Sequence, residues 1–448
     1  MAPGDAAPKD FKVQGPENSM NINDMILVSV DDHASEPEDM FRRHISPKFK
    51  GREPRVVRTP NGQAWEVEGQ VRPGLGLNAV MGRPKEEFGI EPYEFEQMRK
   101  GAYDIHARVD DMNANGVLGS ICFPQFPGFA GKRFWDMQDK DLALATIQAY
   151  NDWHVHDWCN VYPGRFIPLG LLPLWSMDAT LVELKRLIDL GFHTVAFPDN
   201  PAVVGFPSLH DEQWRPLWKM CEENRVVLSC HIGTGASAPH ASDQSPIGAW
   251  ITSMPISIAN SAADWTFATF WDDFPNLKMA LSEGGIGWIP YFLERADAVQ
   301  RQHGAWTFRD FKGSRPSDTF RKHIITCFIE DAHGLKSRHE IGLDLITWEC
   351  DYPHSDCAWP YSAEMLWEQI KTFPRDEIDK ITHLNVMREF SYDPFSTMKR
   401  EDSTVGALRA KAAHVKTDPE PAMGGLTSRY DPTRPVTTAD VNKVLNRV

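Results

Sequence analysis

Eight short apolar segments recur along the chain, and amphipathic helical patterns occupy the intervals between them. The segments lie at 25–30, 117–123, 166–171, 194–197, 226–230, 277–281, 324–328 and 343–347. Helical patterns such as those at 141–150 and 179–188 carry apolar residues three and four positions apart. Nearly continuous apolar strands that alternate with helices predict a parallel sheet covered on both faces, and eight such units predict a closed (β/α)8 TIM barrel of the α/β class.

An open, doubly wound sheet is the competing architecture. That fold places a glycine-rich phosphate turn after its first strand. Here the first segment ends instead in Asp31, Asp32 and His33. The closed barrel is therefore favoured over the open sheet.

Two long insertions interrupt the barrel pattern. About 80 residues separate the first two segments, too many for one loop, so 37–105 is predicted to form an insertion over one barrel end. Within it, 55–67 has the pattern of two strands around an Asn61-Gly62 turn. A second insertion, 233–260, follows strand five and is rich in Gly, Ser, Ala and Pro.

The ends of the chain differ from the barrel region in composition. Residues 1–22 are rich in Pro, Gly, Ala and Asp and are predicted to be a loose arm, which leaves 23–400 for the metal-dependent barrel and 401–448 as a C-terminal extension. The extension ends in a predicted helix with Thr438 as its N-cap, and Val441, Val444, Leu445 and Val448 lie on one face of that helix. Docking on the same chain and contact with another subunit are equally open, and the second alternative predicts an oligomer.

The charge balance is acidic, since 47 Lys+Arg against 62 Asp+Glu give a formal charge of −15. This charge repels an extended phosphate backbone or an anionic membrane, so neither nucleic acid nor membrane is expected as a partner. The 7 cysteines contain no C-x-x-C pair and several lie in apolar runs, which predicts buried free thiols in a reducing compartment. With no signal peptide and no apolar span, we expect a cytoplasmic protein that acts on a small molecule.

Ionisable side chains cluster just beyond the predicted strand ends. In a barrel all of these ends meet at one mouth, and alternation along the first strand places Asp31 and His33 on the same side while Asp32 points away. A lone histidine at a strand end is more often a hydrogen-bonded structural residue, but four separate strands deliver such groups here. We therefore predict a metal site whose candidate ligands are Asp31, His33, Glu36, His231, Glu283, Asp351 and His354.

Other polar and aromatic residues are weaker candidates. Asp199, at the end of strand four, and Trp288, beside Glu283, are predicted to contact substrate. His154 and His156 lie two positions apart in a helical stretch and point in different directions, so they cannot share an ion. His240 and Asp243 lie in the second insertion and are not predicted as ligands.

The strand-end motifs also resemble a known family. The matching pieces are 30–37, 229–233, 281–288, 291–297 and 350–356. In order and spacing they resemble the amidohydrolase superfamily, in its branch related to aminocarboxymuconate semialdehyde decarboxylase, over about 24–395. The resemblance implies that His33, His231 and Asp351 bind metal and that Asp351 also moves a proton.

Two positions depart from the family pattern. Position 31, often His in the family, is Asp here, a substitution that other branches also carry. Position 283 resembles the place where the decarboxylases keep a catalytic His, and it is Glu here. The loss of that imidazole counts against a decarboxylase mechanism carried over whole.

The candidate ligands outnumber those that one ion needs. With Asp31, His33, His231 and Asp351 on one ion, Glu36, Glu283 and His354 remain for a second, and Glu283 or Asp31 would bridge the two. An oxygen-rich set without thiolates suits Fe or Mn better than a structural Zn. We therefore expect two ions, Fe and/or Mn, whereas a hydrolase would be expected to use Zn. The residues expected to be catalytic are Asp351, Glu283 and His354.

The surplus of ligands favours an oxidative function. The chain resembles O2-activating members of the superfamily of the 2-aminoisobutyrate hydroxylase type, which implies hydroxylation of a small substrate by a multicomponent monooxygenase. Ferredoxin and reductase proteins would supply its electrons, and a related barrel subunit would complete a homo- or hetero-oligomer.

Three alternatives remain open. A mononuclear hydrolase would use a metal-activated water on an amide, lactone or ester, and a non-oxidative decarboxylase would use the same ion to hold substrate oxygens. A catalytically inactive subunit would lack ligands, and none is clearly missing.

Overall fold

The computed structural model describes residues 20–72, 74–89, 92, 94–235, 240–421, 431 and 433–445. The predicted N-terminal arm, 1–22, therefore lies almost entirely outside the described residues. Among the described residues, no helix combines the length and the apolar character that a membrane span requires. All 7 cysteines are buried and free, as their positions in apolar runs predict.

Twelve strands lie among the described residues, and they include a counterpart for each of the eight predicted segments. They are β1 (Leu27–Ala34), β2 (Arg55–Thr59), β3 (Gly62–Val67), β4 (Gln70–Arg72), β5 (Val117–Pro124), β6 (Phe166–Ile167), β7 (Leu169–Gly170), β8 (Thr194–Ala196), β9 (Val227–His231), β10 (Met279–Ser282), β11 (Ile324–Phe328) and β12 (Ile346–Trp348).

Seventeen α-helices are present in the described part of the chain. They are α1 (Met40–His44), α2 (Ile105–Asn115), α3 (Lys132–Trp135), α4 (Lys140–Trp153), α5 (Met177–Asp189), α6 (Arg215–Glu223), α7 (Ile247–Ser253), α8 (Ile258–Thr266), α9 (Ile289–Thr307), α10 (Pro316–His323), α11 (Ala332–Lys336), α12 (Arg338–Ile341), α13 (Ser362–Ile370), α14 (Arg375–Asp379), α15 (Asn385–Glu389), α16 (Val405–Lys411) and α17 (Thr438–Leu445).

Parallel pairing joins the barrel strands in the order β1-β5-β6 and β7-β8-β9-β10-β11-β12. Only Pro168, which has no N–H to donate, separates β6 from β7, so the two pieces form one interrupted strand. The segment after β12 closes the ring on β1: Asp351 N donates to Asp31 O at 2.8 Å, and His33 N donates to Tyr352 O at 2.7 Å. The predicted (β/α)8 barrel is confirmed.

Helices cover the outside of the barrel, and α4 and α5 each turn one apolar face toward it. The predicted helical patterns lie in α4 and α5, and α5 begins where Ser176 Oγ accepts a hydrogen bond from Ala179 N at 3.3 Å. Leu184 and Leu187 of α5 are fully buried, as are all residues of the neighbouring strands β8 and β9. This packing makes the strand ends a rigid platform for the residues that follow them.

The first insertion carries an antiparallel sheet of β2, β3 and β4. The two predicted strands are present, but Thr59 pairs with Gly62, so the turn residues are Pro60 and Asn61 and the turn lies one residue earlier than expected. Trp65 of β3 is fully buried and stacks on Phe126, just after β5, with ring centroids 4.6 Å apart. The insertion therefore packs against a loop that follows a barrel strand.

The end of the C-terminal extension docks on the second insertion of the same chain. Ile247 N donates to Val436 O at 2.8 Å, Thr438 N donates to Ser245 O at 3.0 Å, and His240 Nδ1 lies 2.9 Å from Thr438 Oγ1. Because α17 begins at Thr438, its capping position is one residue earlier than predicted. Contact of this extension with another subunit stays a prediction.

Candidate metal centre

Strand β1 presents consecutive acidic side chains to opposite sides, as its alternation predicts. Asp31 and His33 face the barrel mouth, where they lie with His231 in a group of potential metal ligands. Asp32 faces away and accepts hydrogen bonds from Ser29 Oγ at 3.1 Å, from Tyr352 N at 3.0 Å and from Ser120 Oγ. The two neighbours therefore belong to different environments.

Four barrel strands bring ligand atoms together at the mouth. Asp31, His33 and His231 form one group, and His33, Glu283, Asp351 and His354 form a second, with all ligand atoms of a group within 4.8 Å of one another. His33 Nε2 lies 3.1 Å from Asp351 Oδ1 and 3.3 Å from His231 Nε2. His231 Nε2 lies 3.0 Å from Glu283 Oε2, so the two groups share one space.

Hydrogen-bond donors are scarce around the carboxylates of Asp31 and Asp351. Both side chains are fully buried, and none of their four oxygens accepts a hydrogen bond of normal geometry from a described residue. Buried polar atoms are almost always satisfied, and an isolated buried carboxylate is strongly unfavourable. These oxygens and the facing imidazoles are hard and borderline donors that suit a divalent cation.

The histidines are prepared to act as neutral ligands. His231 Nδ1 lies 2.7 Å from the carbonyl of Ile232, so a proton on Nδ1 leaves the Nε2 lone pair facing the cluster. Burial, followed by the charges of His354 and His231, holds the pKa of His33 well below its usual value. An unprotonated imidazole is the form that binds metal.

His354 contacts Asp351 rather than standing free. With the Gln125 side-chain nitrogen as donor to His354 Nε2 at 2.7 Å, the proton of the neutral imidazole is on Nδ1. That atom lies 2.9 Å from Asp351 Oδ1, and the ring stacks on His33 with centroids 3.8 Å apart. His354 is thus within ligand distance, but its nitrogens already face Gln125 and Asp351.

The carboxyl groups of the cluster are short of positive charge. Burial raises the pKa of Asp31 well above its usual value, and the charges of Glu349 and Glu283 raise it further. Burial and the charges of Glu283 and Asp31 do the same to the pKa of Asp351. A cation among these groups would relieve both the repulsion and the lost hydration.

Two cluster residues have an unusual backbone conformation. Glu283 and Asp351 are non-glycine residues with φ of 58° and 60°, in the left-handed region. This conformation costs about 1–2 kcal/mol for a residue with a side chain. Such a conformation persists where the surrounding structure imposes it, and strained residues of this kind cluster at functional sites.

Glu36 was predicted as a ligand, and the structure places it elsewhere. Its Oε1 accepts from Gln125 N at 3.0 Å and its Oε2 from Phe126 N at 2.9 Å, and burial raises its pKa to about 7. Glu36 is absent from both ligand groups. It instead fixes the loop after β5, whose Gln125 contacts His354.

Asp199 was predicted to bind substrate, but both of its carboxylate oxygens have partners in the protein. Ser261 Oγ donates to Oδ2 at 2.6 Å and Thr234 Oγ1 donates to Oδ1 at 2.9 Å. Burial raises the pKa of Asp199. The position therefore fits a link between β8 and α8 better than a contact with substrate.

Trp288 lies at the wall of a pocket that begins at Glu283. The pocket has a volume of about 580 Å³, and its lining includes Glu283, Trp288, Glu330, Glu349 and Asp356. Trp288 Nε1 donates to Gly284 O at 2.9 Å, which turns the indole ring along the wall. No lysine or arginine is among the described lining residues.

His154 and His240, which were not predicted as metal ligands, lie outside the cluster and have other contacts. His154 is buried in a π-helical segment after α4 and stacks on Tyr150, with ring centroids 5.7 Å apart. His240 contacts Thr438, and the carbonyl of Asp243 accepts from Ala439 N at 3.0 Å. The last two residues therefore hold the C-terminal extension, a role that the sequence did not indicate.

Sequence reasoning missed two residues that contact the cluster. Glu349 Oε2 accepts from Glu283 N at 3.0 Å, and alternation back from Asp351 could have found it. Phe129 covers the imidazole of His231, with ring centroids 4.1 Å apart. Phe129 lies in a loop, where no periodic pattern indicates its direction.

Comparison with known proteins identifies similar sequences. The amidohydrolase family model Amidohydro_2 matches residues 44–390. The chain is 23% identical over 320 residues to the 2-amino-3-carboxymuconate-6-semialdehyde decarboxylase of Dictyostelium discoideum, covering 69% of this chain and 83% of the relative. It is 24% identical over 332 residues to the gamma-resorcylate decarboxylase of Rhizobium radiobacter, covering 68% and 93%.

Solved structures share the fold. An amidohydrolase from Mycobacterium avium subsp. paratuberculosis superposes with a TM-score of 0.62 at 19% identity, covering 82% of this chain and 99% of the other. The 5-carboxyvanillate decarboxylase of Novosphingobium aromaticivorans, solved with bound manganese, superposes with a TM-score of 0.59 at 16% identity, covering 83% and 99%.

Proposed function

Since the chain belongs to the amidohydrolase family, we propose that it is a metal-dependent enzyme that removes a carboxyl group from a small organic acid without oxidation. The observation that carries this proposal is the convergence of Asp31, His33, His231 and Asp351 around buried oxygens that lack donors. The similarity to two decarboxylases supports the type of reaction.

The geometry favours one ion rather than the two that the ligand count suggests. Both ligand groups include His33, whose Nε2 faces Asp31 and Asp351. A neutral imidazole nitrogen has a single lone pair and cannot bridge two ions. Asp31, His33, His231 and Asp351 would hold one divalent ion, with Glu283 beside it, and this set of two carboxylates and two imidazoles without a thiolate is compatible with Mn²⁺.

The proposed oxygenase loses its main support. It depended on spare ligands for a second ion, and Glu36 and His354 were two of the three. Glu36 is occupied by backbone N–H groups, and His354 faces Gln125 and Asp351. The relatives also favour the non-oxidative alternative.

The residues around the cluster have separate roles in the proposed reaction. A divalent ion bound there would supply the positive charge that anchors the substrate oxygens. Glu283, which contacts His231 and lines the pocket, holds the proton that goes to carbon. The C–C bond to the carboxylate breaks, CO2 leaves, and the carbon keeps the electron pair and takes that proton.

Asp351 and His354 form a second proton-holding pair. His354 Nδ1 holds its proton 2.9 Å from Asp351 Oδ1, and Gln125 fixes the other ring nitrogen. The pair orients Asp351 toward His33. Trp288 forms one wall of the pocket beside Glu283. Glu283 therefore takes the place of the imidazole that the resemblance implies at this position.

The experiment that tests the proposal is an anaerobic turnover assay in D2O. Protein loaded with Mn²⁺ is incubated with gamma-resorcylate and with 5-carboxyvanillate, the acids named in the relatives, without any reductant. We expect one CO2 released and one deuterium placed on carbon per turnover, and no reaction after chelation. Turnover that requires O2 and a reductant, or inert acids together with cleavage of an ester, would contradict the proposal.

The matched variant for this assay is Glu283→Gln, which keeps the shape of the side chain and removes its acid. We expect turnover to fall by about 100-fold or more, since general acid catalysis contributes that much, while the protein at saturating Mn²⁺ still holds one ion per chain. Unchanged turnover would assign the proton to another group.

A further inference from the structure

Glu349 is a buried carboxyl group at the end of β12 that the proposed reaction does not use directly. Its Oε2 accepts the backbone N–H of Glu283 at 3.0 Å and the thiol of Cys327 at 2.6 Å. Its side chain is almost completely buried, with 1% of the residue exposed. We propose that Glu349 is a positioning residue that holds the backbone of Glu283 and thereby aims the Glu283 carboxylate at the metal ligands; this inference rests on the proposed function.

The backbone of Glu283 needs such a partner. The parallel ladder between β9 and β10 ends where His231 pairs with Ser282, so the next N–H, that of Glu283, lies past the paired strand. Glu283 has a φ of 58°, and its two following residues are glycines. A buried N–H without an acceptor is unfavourable because it has lost its hydrogen bond to water. The Glu349 oxygen satisfies it and opposes relaxation of the left-handed conformation.

The position of Glu349 is itself fixed. Glu349 N donates to Phe328 O at 3.1 Å, which extends the contact between β11 and β12 by one residue. Its oxygen therefore joins the ends of three neighbouring strands, through Glu283 after β10, Cys327 on β11 and Glu349 after β12. A displacement of this oxygen would move the Glu283 backbone.

The other left-handed residue of the cluster is anchored in the same way. Asp351, with a φ of 60°, donates its N–H to Asp31 O at 2.8 Å. Each strained residue thus has its N–H bound to another residue at the mouth. For Asp351 the acceptor is the backbone carbonyl of residue 31, which is present whatever side chain that residue carries. For Glu283 the acceptor is the side chain of Glu349, which a substitution can remove.

The consequence for the metal follows from the contact between Glu283 Oε2 and His231 Nε2 at 3.0 Å. Residues that orient metal-binding groups through hydrogen bonds typically change metal affinity by 10–100-fold when they are mutated. Glu349 also lines the pocket, so direct contact with substrate is the competing role. That role would change KM and leave metal affinity unaltered.

The test is a calorimetric titration of Mn²⁺ into metal-free wild type, Glu349→Ala and Glu349→Gln. We expect Glu349→Ala to bind Mn²⁺ about 10–100-fold more weakly. Glu349→Gln should restore the affinity to within about threefold, because the amide oxygen can still accept the Glu283 N–H. Wild-type affinity in Glu349→Ala would overturn the inference, as would a change confined to KM.

The control is Glu183→Ala, which removes another buried carboxylate with 0% of the residue exposed. Glu183 accepts from Asn151 at 2.8 Å and from Arg186 at 2.7 Å, away from the mouth. We expect it to lower the unfolding midpoint and leave Mn²⁺ affinity unchanged. Equal loss of affinity in both alanine variants would mean that the effect on metal is only a consequence of lower stability, and would overturn the inference.

A second measurement does not depend on the metal. Hydrogen exchange of the peptide that contains the Glu283 amide is compared in metal-free wild type, Glu349→Ala and Glu349→Gln, with Glu349→Asp in place of the alanine variant if that variant does not fold. Exchange should be faster in Glu349→Ala or Glu349→Asp, and slow again in Glu349→Gln. Unchanged exchange overturns the inference. A wild-type protein that binds no Mn²⁺ overturns the proposed function instead, and the exchange result then decides the role of Glu349.

Discussion

Asp31 and Asp32 are neighbours on β1 and are both buried, but they differ in the hydrogen-bond donors that surround their carboxylates. Asp32 accepts hydrogen bonds from Ser29, Ser120 and the backbone of Tyr352. Asp31 accepts no hydrogen bond of normal geometry from a described residue and faces two imidazoles. Of these two buried carboxylates, that of Asp32 is hydrogen-bonded within the protein, whereas that of Asp31 is available to a ligand.

The difference separates a structural acid from a functional one without reference to any relative. Burial alone does not separate them, since it raises the pKa of both residues. The supply of donors does, because a buried carboxylate without donors is costly unless a cation completes it. The same test divides Glu36 and Asp199, whose carboxylate oxygens accept hydrogen bonds, from Asp351, whose carboxylate faces the imidazoles of His33 and His354 among the described residues.

The largest effect is expected for Asp31→Ala. The substitution removes a metal ligand and a buried carboxylate that has no partner. Turnover and Mn²⁺ affinity should each fall by more than about 100-fold, which exceeds the usual effect of losing a residue that only orients a ligand. The free energy of unfolding of the metal-free protein should stay equal or rise. Turnover assays, calorimetry and urea unfolding measure these quantities; a large loss of metal-free stability would place Asp31 with the structural acids.

The matched change on the opposite side of the strand is Asp32→Ala. It leaves the hydroxyls of Ser29 and Ser120 and the N–H of Tyr352 without their acceptor, which should lower the free energy of unfolding by about 3 kcal/mol. Folded protein should still bind one Mn²⁺ per chain. Urea unfolding and elemental analysis of the folded fraction measure both effects, and loss of metal at unchanged stability would erase the contrast with Asp31.

Glu36 extends the comparison to pH. Its pKa in the folded protein is raised to about 7 from an ordinary 4.5, so the folded state holds its proton more tightly than the unfolded state does. The resulting stability is complete below pH 4.5 and is lost as the pH rises through about 7. We expect the metal-free protein to lose about 3 kcal/mol over this window from Glu36, and Glu36→Gln to reduce that slope in urea unfolding. An identical slope in the variant would remove Glu36 as its source.

The smallest expected effect is on stability and concerns the left-handed backbone conformation of Glu283. Glu283→Gly and Glu283→Ala both remove the carboxylate, but only glycine adopts a φ of 58° without strain. The glycine variant should therefore be more stable than the alanine variant by about 1 kcal/mol. Thermal unfolding of the two metal-free proteins provides the comparison, and equal stability would mean that the left-handed conformation stores no strain.

The sequence was sufficient for what depends on periodicity. Alternating apolar segments predicted the barrel, and the period of two along β1 separated Asp31 and His33 from Asp32. The same rule, extended from Asp351 to Glu349, would have found the residue that anchors Glu283. The carboxyl ends of parallel strands meet at one mouth, which is why His33 and His231, 198 positions apart, could be grouped correctly.

What the sequence could not predict depends on contacts between loops. Glu36 and His354 counted as spare ligands because nothing in the sequence shows that the loop at Gln125 and Phe126 reaches both of them. That miscount favoured a second ion and an oxygenase. The docking of α17 near His240 was hidden for the same reason, since the contact joins segments about 200 residues apart.

The most direct test is anomalous diffraction at the manganese edge from crystals of the protein grown with Mn²⁺. We expect one strong peak per chain at the mouth, coordinated by Asp31, His33, His231 and Asp351, with Glu283 beside it and no peak near Asp32. Two peaks at the mouth would restore the dinuclear centre. Absence of any peak there would contradict the assignment of the unpartnered carboxylates to a metal.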